Sequence, residues 1–221
     1  MKTVTFKRFI IIVISIFMVL HSANAQSKLS LNPGLFYNGT GFTENIKGLG
    51  LIMGLEYMQS KNKVFSIELR TKYGYYAFDD GTKWRTDNNG NVLPPKNLEE
   101  AQLEYILFSP QIGIVPKLHL RFDEVLSLFI ENEFAGGLII GDFKYKGFDK
   151  KRNFTESIFC YNLGVGGEYK LKKYILTGSI SYSTLNFRSK IKKHQPAGYE
   201  EWIPNQNAAI LINIILKIPL K

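Results

Sequence analysis

The chain has 221 residues, of which 28 are lysine or arginine and 19 are aspartate or glutamate, so its formal net charge is +9. Cys160 is the single cysteine, which excludes an internal disulfide and a cluster of thiolates around a metal ion. Packing and sheet closure must therefore stabilise the fold. An excess of basic residues suits binding to nucleic acid or to an anionic lipid surface. The first residues of the chain favour the lipid surface.

Residues 1–25 have the three parts of a secretory signal peptide. A basic start is followed by an apolar run over residues 9–20 and by a small-residue cleavage site, Ala23-Asn24-Ala25. The apolar run of about a dozen residues is short for a helix that spans a membrane. We therefore predict that residues 1–25 are removed and that residues 26–221 form one domain. Because an exported chain rarely meets nucleic acid, we expect lipid rather than nucleic acid as the partner.

The segment over residues 47–76 alternates polar and apolar residues with a period of two, which is typical of β-strands. A polar turn at residues 60–63 divides it into a hairpin. One face of its second strand carries the polar residues Ser66, Glu68, Arg70 and Lys72, and the other carries Phe65, Ile67, Leu69, Tyr73 and Tyr75. Such strands, about twelve residues long, are long enough to cross a bilayer at a tilt.

Six further strands follow the same pattern along the chain. With the hairpin they make eight: residues 28–38, two strands within 47–76, a strand from 103 to a turn at 117–124, and strands over 126–135, 159–169, 176–183 and 207–220. Long polar connections at 77–101, 141–156 and 187–206 alternate with short turns, as in bacterial outer-membrane barrels. Pro110 interrupts the fourth strand, where it removes a ladder hydrogen bond unless a bulge accommodates it.

These features predict an all-β fold, an eight-stranded antiparallel up-and-down transmembrane β-barrel in the cell outer membrane. A barrel of this size is filled by side chains, so we do not expect an open porin. The alternative is a secreted lipocalin-like barrel, which would bury the apolar face inside and bind a ligand there. The hairpin favours the membrane barrel because the apolar row ends in aromatic residues and the opposite row is charged.

Three segments resemble the PorT-like outer-membrane β-barrel family of the Bacteroidetes. Residues 65–69 with Tyr73-Gly74 resemble its third strand, residues 103–106 with Pro110 its fourth, and the glycine-rich residues 163–169 its sixth. In the segment that resembles the fourth strand, Pro110 stands one place later than the proline usually does in the family. The resemblance implies an eight-stranded outer-membrane barrel, and it does not imply secretion activity.

The charged residues of the predicted inward faces form the first candidate site. They are Glu56, Glu68, Arg70, Lys72, Glu104, Glu131, Glu133, Glu168 and Lys217. Buried charges are costly unless they are paired, so we expect ion pairs that fill the lumen and hold the barrel together. The alternative is a pathway for protons or ions.

Two histidines remain after signal removal, and we expect neither a metal site nor a cofactor. His119 is predicted in a periplasmic turn and His194 in an outer loop, so these two cannot share a metal ion. Small outer-membrane barrels include lipid A-modifying enzymes that use His with Ser, and His194 with Ser189 is the candidate pair here. No local motif supports that pair, so we predict a non-enzymatic protein with a structural or interaction role and, in the narrower form of this prediction, a place in a secretion assembly.

The loops after the fifth and seventh strands are rich in lysine and arginine. These residues are predicted to contact lipopolysaccharide, because cations at the height of the outer leaflet lie beside anionic head groups. They are Lys150, Lys151, Arg152, Arg188, Lys190, Lys192 and Lys193. The alternative is an ordinary solvated surface. The expected partners are thus outer-membrane lipid, lipopolysaccharide and envelope or secretion proteins, and we expect a monomer.

Overall fold

The computed structural model describes residues 28–40, 47–58, 64–80, 85–86, 92–93, 103–145, 151–187, 190, 193–194 and 209–220. At several strand ends it describes only the backbone. The signal peptide predicted over residues 1–25 lies outside the described residues. Among the described residues, no helix is long and apolar enough to cross a membrane.

Ten strands are present in the described chain, and eight of them close into one barrel. The strands are β1 (Lys28–Thr40), β2 (Lys47–Met58), β3 (Phe65–Asp80), β4 (Arg85–Thr86), β5 (Val92–Leu93), β6 (Leu103–Arg121), β7 (Leu126–Tyr145), β8 (Lys151–Lys170), β9 (Ile175–Ser183) and β10 (Ala209–Leu220). The closed barrel runs β1-β10-β9-β8-β7-β6-β3-β2, and every neighbouring pair is antiparallel. β4 and β5 pair only with each other. The predicted eight-stranded barrel is confirmed.

The two ends of the barrel differ in their connections. We call the end with the connections 41–46, 81–102, 146–150 and 184–208 the loop end. The end with the connections 59–64, 122–125 and 171–174, together with the start of β1 and the end of β10, is the turn end. In the turn 122–125, the backbone N–H groups of Leu126 and Val125 each donate to Asp123 Oδ1 at 2.6 Å. These bonds stabilise the carboxylate and lower the pKa of Asp123 below its usual value.

Side chains alternate between the lumen, which holds all the buried charges of the described residues, and an apolar outer face. On β10 the buried residues Leu211, Asn213, Ile215 and Lys217 alternate with exposed isoleucines and leucine. Exposed large apolar residues recur on all eight barrel strands, from Leu35 on β1 to Leu220 on β10. A lipocalin-like barrel would carry the charged row outside, so the lipocalin alternative is wrong.

Strand β6 corrects two predictions. Residues 117–121 were predicted to belong to a turn, but β6 continues to Arg121 and the turn follows it at 122–125. Lumen-facing Lys117 is polar and therefore resembles a turn residue, although its burial is nearly complete. In addition, the inward position predicted for Glu104 implies, with a period of two, that Ile106 and Phe108 also face inward. In the structure both face outward and Leu107 faces the lumen.

The prolines of β6 are accommodated without a bulge. Pro110 lies opposite Tyr73 of β3, and Pro116 lies opposite Ile67. The paired register to β7 is interrupted at both prolines and resumes unchanged, with Phe108 opposite Ile140 and Gln111 opposite Gly137. Each proline lacks an N–H, so an interruption of the ladder is its expected consequence.

Glycines on the lumen side make room for aromatic rings. A Cβ added to Gly166 of β8 would lie 2.3 Å from Phe129 Cζ and 2.5 Å from the backbone oxygen of Gly178. The glycine-rich part of β8 therefore lets bulky neighbours pack inside the barrel. Gly178 of β9, by contrast, is exposed and has no atom within 4 Å of an added Cβ.

We expect Gly166→Ala to lower the free energy of unfolding by about 1–3 kcal/mol, because the methyl group overpacks the lumen. Gly178→Ala is the matched control and should change the free energy by about 0.5 kcal/mol or less. Urea titration of both variants in the same detergent measures the difference. Equal stability of the two variants would contradict the packing of Phe129 over Gly166.

The barrel lumen as candidate functional site

A dense cluster of charged side chains lies in the half of the lumen nearer the turn end. Of the nine predicted lumen charges, eight are buried there: Glu56, Glu68, Arg70, Lys72, Glu131, Glu133, Glu168 and Lys217. The side chain of Glu104 lies outside the described residues. Side chains of a strand alternate between its two faces, and each of these residues lies at a position whose side chain points into the lumen.

Arg70 of β3 is the centre of this cluster. Its Nη2 lies 2.8 Å from Glu68 Oε2 and 3.0 Å from Glu131 Oε2, and its Nη1 lies 3.6 Å from Glu133 Oε2. Glu133 also accepts a 2.5 Å bond from Lys72 Nζ. One guanidinium thus connects two carboxylates of β7 to one of β3 across the strand that separates them.

Two lysines extend the ion pairs toward the turn end. Lys117 Nζ of β6 lies 2.6 Å from Glu68 Oε2 and 3.4 Å from Glu56 Oε2. Lys217 Nζ of β10 lies 2.7 Å from Glu56 Oε2 and also contacts Glu168 Oε1. The pairs are therefore continuous from β10 to β7, and they connect strands that are not neighbours in the sheet.

Neutral side chains add hydrogen bonds to three of these carboxylates. Ser179 and Ser181 donate to Glu131 Oε1 at 2.8 and 3.1 Å, and Asn162 donates to Glu133 Oε2 at 2.8 Å. Asn32 donates to Glu56 Oε2 at 2.9 Å. Buried ion pairs need such extra bonds to offset their loss of hydration.

Two members of this cluster were missed in the sequence. Lys117 and His119 were assigned to a turn, yet both are buried and face the lumen. His119 Nε2 lies 2.8 Å from Ser66 Oγ, so the prediction that this histidine belongs to a turn is wrong. A signal was present, since Leu118 and Leu120 alternate with them and are exposed on the outer face.

The half of the lumen nearer the loop end is largely apolar. Its buried cluster consists of Phe36, Ile52, Tyr76, Leu107, Ala135, Ile139, Phe154, Ile158, Cys160, Leu185, Phe187, Leu211 and Ile215. Leu185 and Phe187 follow β9 and enter the lumen, where the Phe187 ring meets Tyr76 edge-on at a centroid distance of 4.5 Å. We call the whole buried cluster of thirteen residues the apolar plug.

The chain is similar to solved structures, whereas no protein-family model and no curated protein matches it. A major outer membrane protein of Thermus thermophilus superposes with a TM-score of 0.56 at 11% identity, over 88% of this chain and 99% of that one. Ail, the attachment invasion locus protein of Yersinia pestis, gives a TM-score of 0.49 at 10% identity, also over 88% and 99%. Neisserial surface protein A gives 0.45 at 9% identity, over 88% and 97%.

The chain folds as an outer-membrane β-barrel. Its outer face is apolar at membrane level and its buried charges face the lumen, which is the arrangement expected of a barrel surrounded by lipid. In such barrels the long connections face outward and the short turns face the periplasm. The charged cluster of this outer-membrane barrel is therefore on the periplasmic side of the lumen, and the apolar plug is on the outer side.

A second polar cluster joins the outer connection 184–208 to β8. Glu156 Oε1 shares a 2.9 Å hydrogen bond with His194 Nε2, and its Oε2 lies 3.8 Å from the Nζ atoms of both Lys190 and Lys193. The His194 ring stacks on Phe154 at 4.6 Å. The partner of His194 in the described chain is thus a carboxylate, and Ser189 lies outside the described residues.

Of the seven residues predicted to contact lipopolysaccharide, two have described side chains, Lys190 and Lys193. The Lys193 side chain is 60% exposed, so its contact with Glu156 leaves it open to the outer solution. For Lys151 and Arg152 the backbone belongs to β8, but their side chains are outside the description. Lys150, Arg188 and Lys192 lie outside the described residues altogether.

Proposed function

We propose that this outer-membrane barrel is a non-enzymatic structural or interaction protein of the cell envelope. The observation that carries the proposal is the filled lumen. Charged side chains occupy its periplasmic half in mutual ion pairs, and the apolar plug occupies its outer half. A filled lumen supports neither an open pore nor a conducting row of charges, so function is assigned to the outer surface and the loops.

The charged cluster is better suited to holding the barrel together than to moving ions. A pathway for ions needs binding groups along its whole length, each weak enough to release the ion. Here the charges are bonded to one another, and the apolar plug follows them toward the outside. This arrangement supports the role predicted from the inward charges and disfavours the pathway.

Membership of the PorT-like family and a role in a secretion assembly are the narrower form of the proposal. The resemblance in residues 65–69 and 163–169 supports it, and both segments lie in barrel strands, β3 and β8. A monomeric barrel would present its loops and its lipid-facing surface to such an assembly. Its partners would then be envelope proteins and lipopolysaccharide.

A deletion strain tests the proposal against the two other classes. We expect the mass spectrum of its lipid A to match that of the parent, because the protein is proposed not to modify lipid. We also expect the purified wild-type barrel to give no ion conductance in a planar bilayer. A changed acyl pattern that wild type restores and His194→Ala does not would establish the enzyme instead, and a steady conductance would establish a pore.

The cationic outer loops are expected to retain lipopolysaccharide. Clustered lysine and arginine beside anionic head groups attract them by about 1 kcal/mol each, an interaction that salt screens. Substitution of five residues with glutamine should therefore reduce the lipopolysaccharide that co-purifies at low salt and remove its dependence on salt. The five are Lys150, Lys151, Arg152, Lys192 and Lys193.

The control for this variant carries the same number of substitutions at the turn end. Within the described part of that end, the five exposed cations are Lys28, Arg121, Lys170, Lys172 and Lys173. They face the periplasm, away from the outer leaflet, so their conversion to glutamine should leave retention unchanged. Equal retention by both variants would mean that the loop cations are an ordinary solvated surface.

A further inference from the structure

Three metal-ligating side chains meet at the periplasmic mouth of the lumen. They are Glu56 of β2, His119 of β6 and Glu168 of β8, and one ligand atom of each lies within 4.8 Å of the other two. All three are buried. Each stands two residues before the end of its strand at the turn end. The antiparallel register, rather than closeness in sequence, brings them together.

His119 points an unused nitrogen into this group. Its Nε2 is engaged by Ser66 Oγ at 2.8 Å, whereas its Nδ1 is buried without a hydrogen-bond partner. Glu168 Oε2 lies 3.7 Å from that Nδ1, which is too long for a hydrogen bond. The His119 side chain is only 1% exposed, so a free Nδ1 there loses its hydration without compensation.

The two carboxylates each present one oxygen to Lys217 and the other to the imidazole. Lys217 Nζ contacts Glu56 Oε2 and Glu168 Oε1. Glu56 Oε1 lies 3.8 Å from His119 Nε2, and Glu168 Oε2 faces Nδ1. The ammonium and the imidazole therefore use opposite sides of the same carboxylates. Glu56 Oε1 accepts from Ser66 Oγ at 2.5 Å and Glu168 Oε2 accepts from Ser127 Oγ at 3.3 Å, so each of these oxygens keeps one lone pair for a second cation.

We propose that Glu56, His119 and Glu168 bind a divalent transition-metal ion, with Zn²⁺ as its representative. One imidazole with two carboxylates is a ligand set for Zn²⁺ and its neighbours in the first transition row, whereas Ca²⁺ and Mg²⁺ prefer oxygen alone. Bonds of about 2.1 Å place the ligands of one Zn²⁺ about 3–4 Å apart, so these side chains need to shift by about 1 Å.

The described lumen carries one excess negative charge, which offsets half of the charge of a divalent cation. Five carboxylates and four permanent cations are buried in the described lumen, which leaves one negative charge in excess while His119 is neutral. Ser66 Oγ donates to Glu56 Oε1 at 2.5 Å and also touches His119 Nε2, so it fixes both groups. Hydrogen bonds of this kind hold the ligands of metal sites in place.

Titration of the folded, purified barrel in detergent with Zn²⁺ tests the site. We expect wild type to bind one Zn²⁺ and His119→Gln to bind it at least about tenfold more weakly. Glu168→Gln, which keeps the shape of the side chain, should weaken binding similarly. His194→Gln is the matched control, because His194 also lies beside a carboxylate, and its affinity should equal that of wild type.

Cobalt(II) gives a readout that needs no substitution. Its visible absorption in the wild-type barrel should report nitrogen and oxygen ligands and should disappear when Zn²⁺ is added. Circular dichroism of each variant tests whether the barrel is folded. If a variant does not fold, the cobalt absorption of the wild-type barrel alone tests whether the site binds a metal ion. The proposal is wrong if wild type binds neither ion, or if His119→Gln binds Zn²⁺ as tightly as wild type does.

Discussion

Arg70→Met is expected to lower the free energy of unfolding by about 3–5 kcal/mol, the usual cost of removing one partner from a buried ion pair. The guanidinium has no exposed side-chain surface and lies against three carboxylates, Glu68, Glu131 and Glu133. Methionine fills a similar volume but leaves the lumen with a larger excess of negative charge. Denaturant titration in detergent measures the loss.

Two controls separate charge from volume in this experiment. Arg121→Met removes the same group from an exposed position at the end of β6 and should cost about 0.5 kcal/mol or less. Adding Glu131→Gln to Arg70→Met removes one of the stranded charges and keeps the capacity to accept bonds from Ser179 and Ser181. We expect this double variant to recover at least about 1 kcal/mol. No recovery would mean that lost packing, rather than charge, destabilises the Arg70 variant.

The barrel could be predicted from the sequence because the two faces of its strands differ in polarity. On β3 the outward residues Leu69, Tyr73 and Tyr75 alternate with the inward residues Arg70 and Lys72. A period of two shows which residues share a face, and the charges show which face cannot meet lipid. The same pattern predicts the burial of the charged residues without any knowledge of their partners.

The prediction failed where the polarity difference was weak or was interpreted as a turn. Toward the loop end of β7 and β8, Ile139 and Ile158 face the lumen and are as apolar as the outer face. With both faces apolar, alternation gives no information about residues 136–140. Residues 141–145 and 151–156 were instead assigned to a connection because they are rich in polar residues, although they belong to β7 and β8. On β6, the polar residues Lys117 and His119 next to Pro116 resemble a turn, although they belong to a polar lumen.

The partners within the cluster could not be predicted, because they depend on register across the barrel. Arg70 and Glu131 lie on β3 and β7, with β6 between them. Their contact requires the pairing of β3 with β6 and of β6 with β7, together with the curvature that closes the sheet. No pattern within a single strand contains this information. The metal-ligating group at the periplasmic mouth was missed for the same reason, since its members lie on three different strands.

The connection 184–208 supplies two side chains of the apolar plug, Leu185 and Phe187. The chain after β9 remains extended beside β8, where Thr184 N donates to Tyr161 O at 2.9 Å and Tyr161 N donates to Thr184 Oγ1 at 2.9 Å. Its alternation continues, so Leu185 and Phe187 point inward. A segment that looks like an ordinary polar loop in the sequence thus contributes two core side chains.

Phe187→Ala is therefore expected to lower the free energy of unfolding by about 3–5 kcal/mol, because Phe187 is fully buried and its loss leaves a cavity beside Tyr76. Phe187→Leu restores part of the volume and should cost less than about 1.5 kcal/mol. Phe122, which is 66% exposed in the turn 122–125, gives the control, and Phe122→Ala should cost less than about 1 kcal/mol. Denaturant titration of the three variants in one detergent gives the comparison. If Phe187→Ala costs no more than Phe122→Ala, residues 184–187 do not occupy the lumen, and the outer half of the barrel is open rather than plugged.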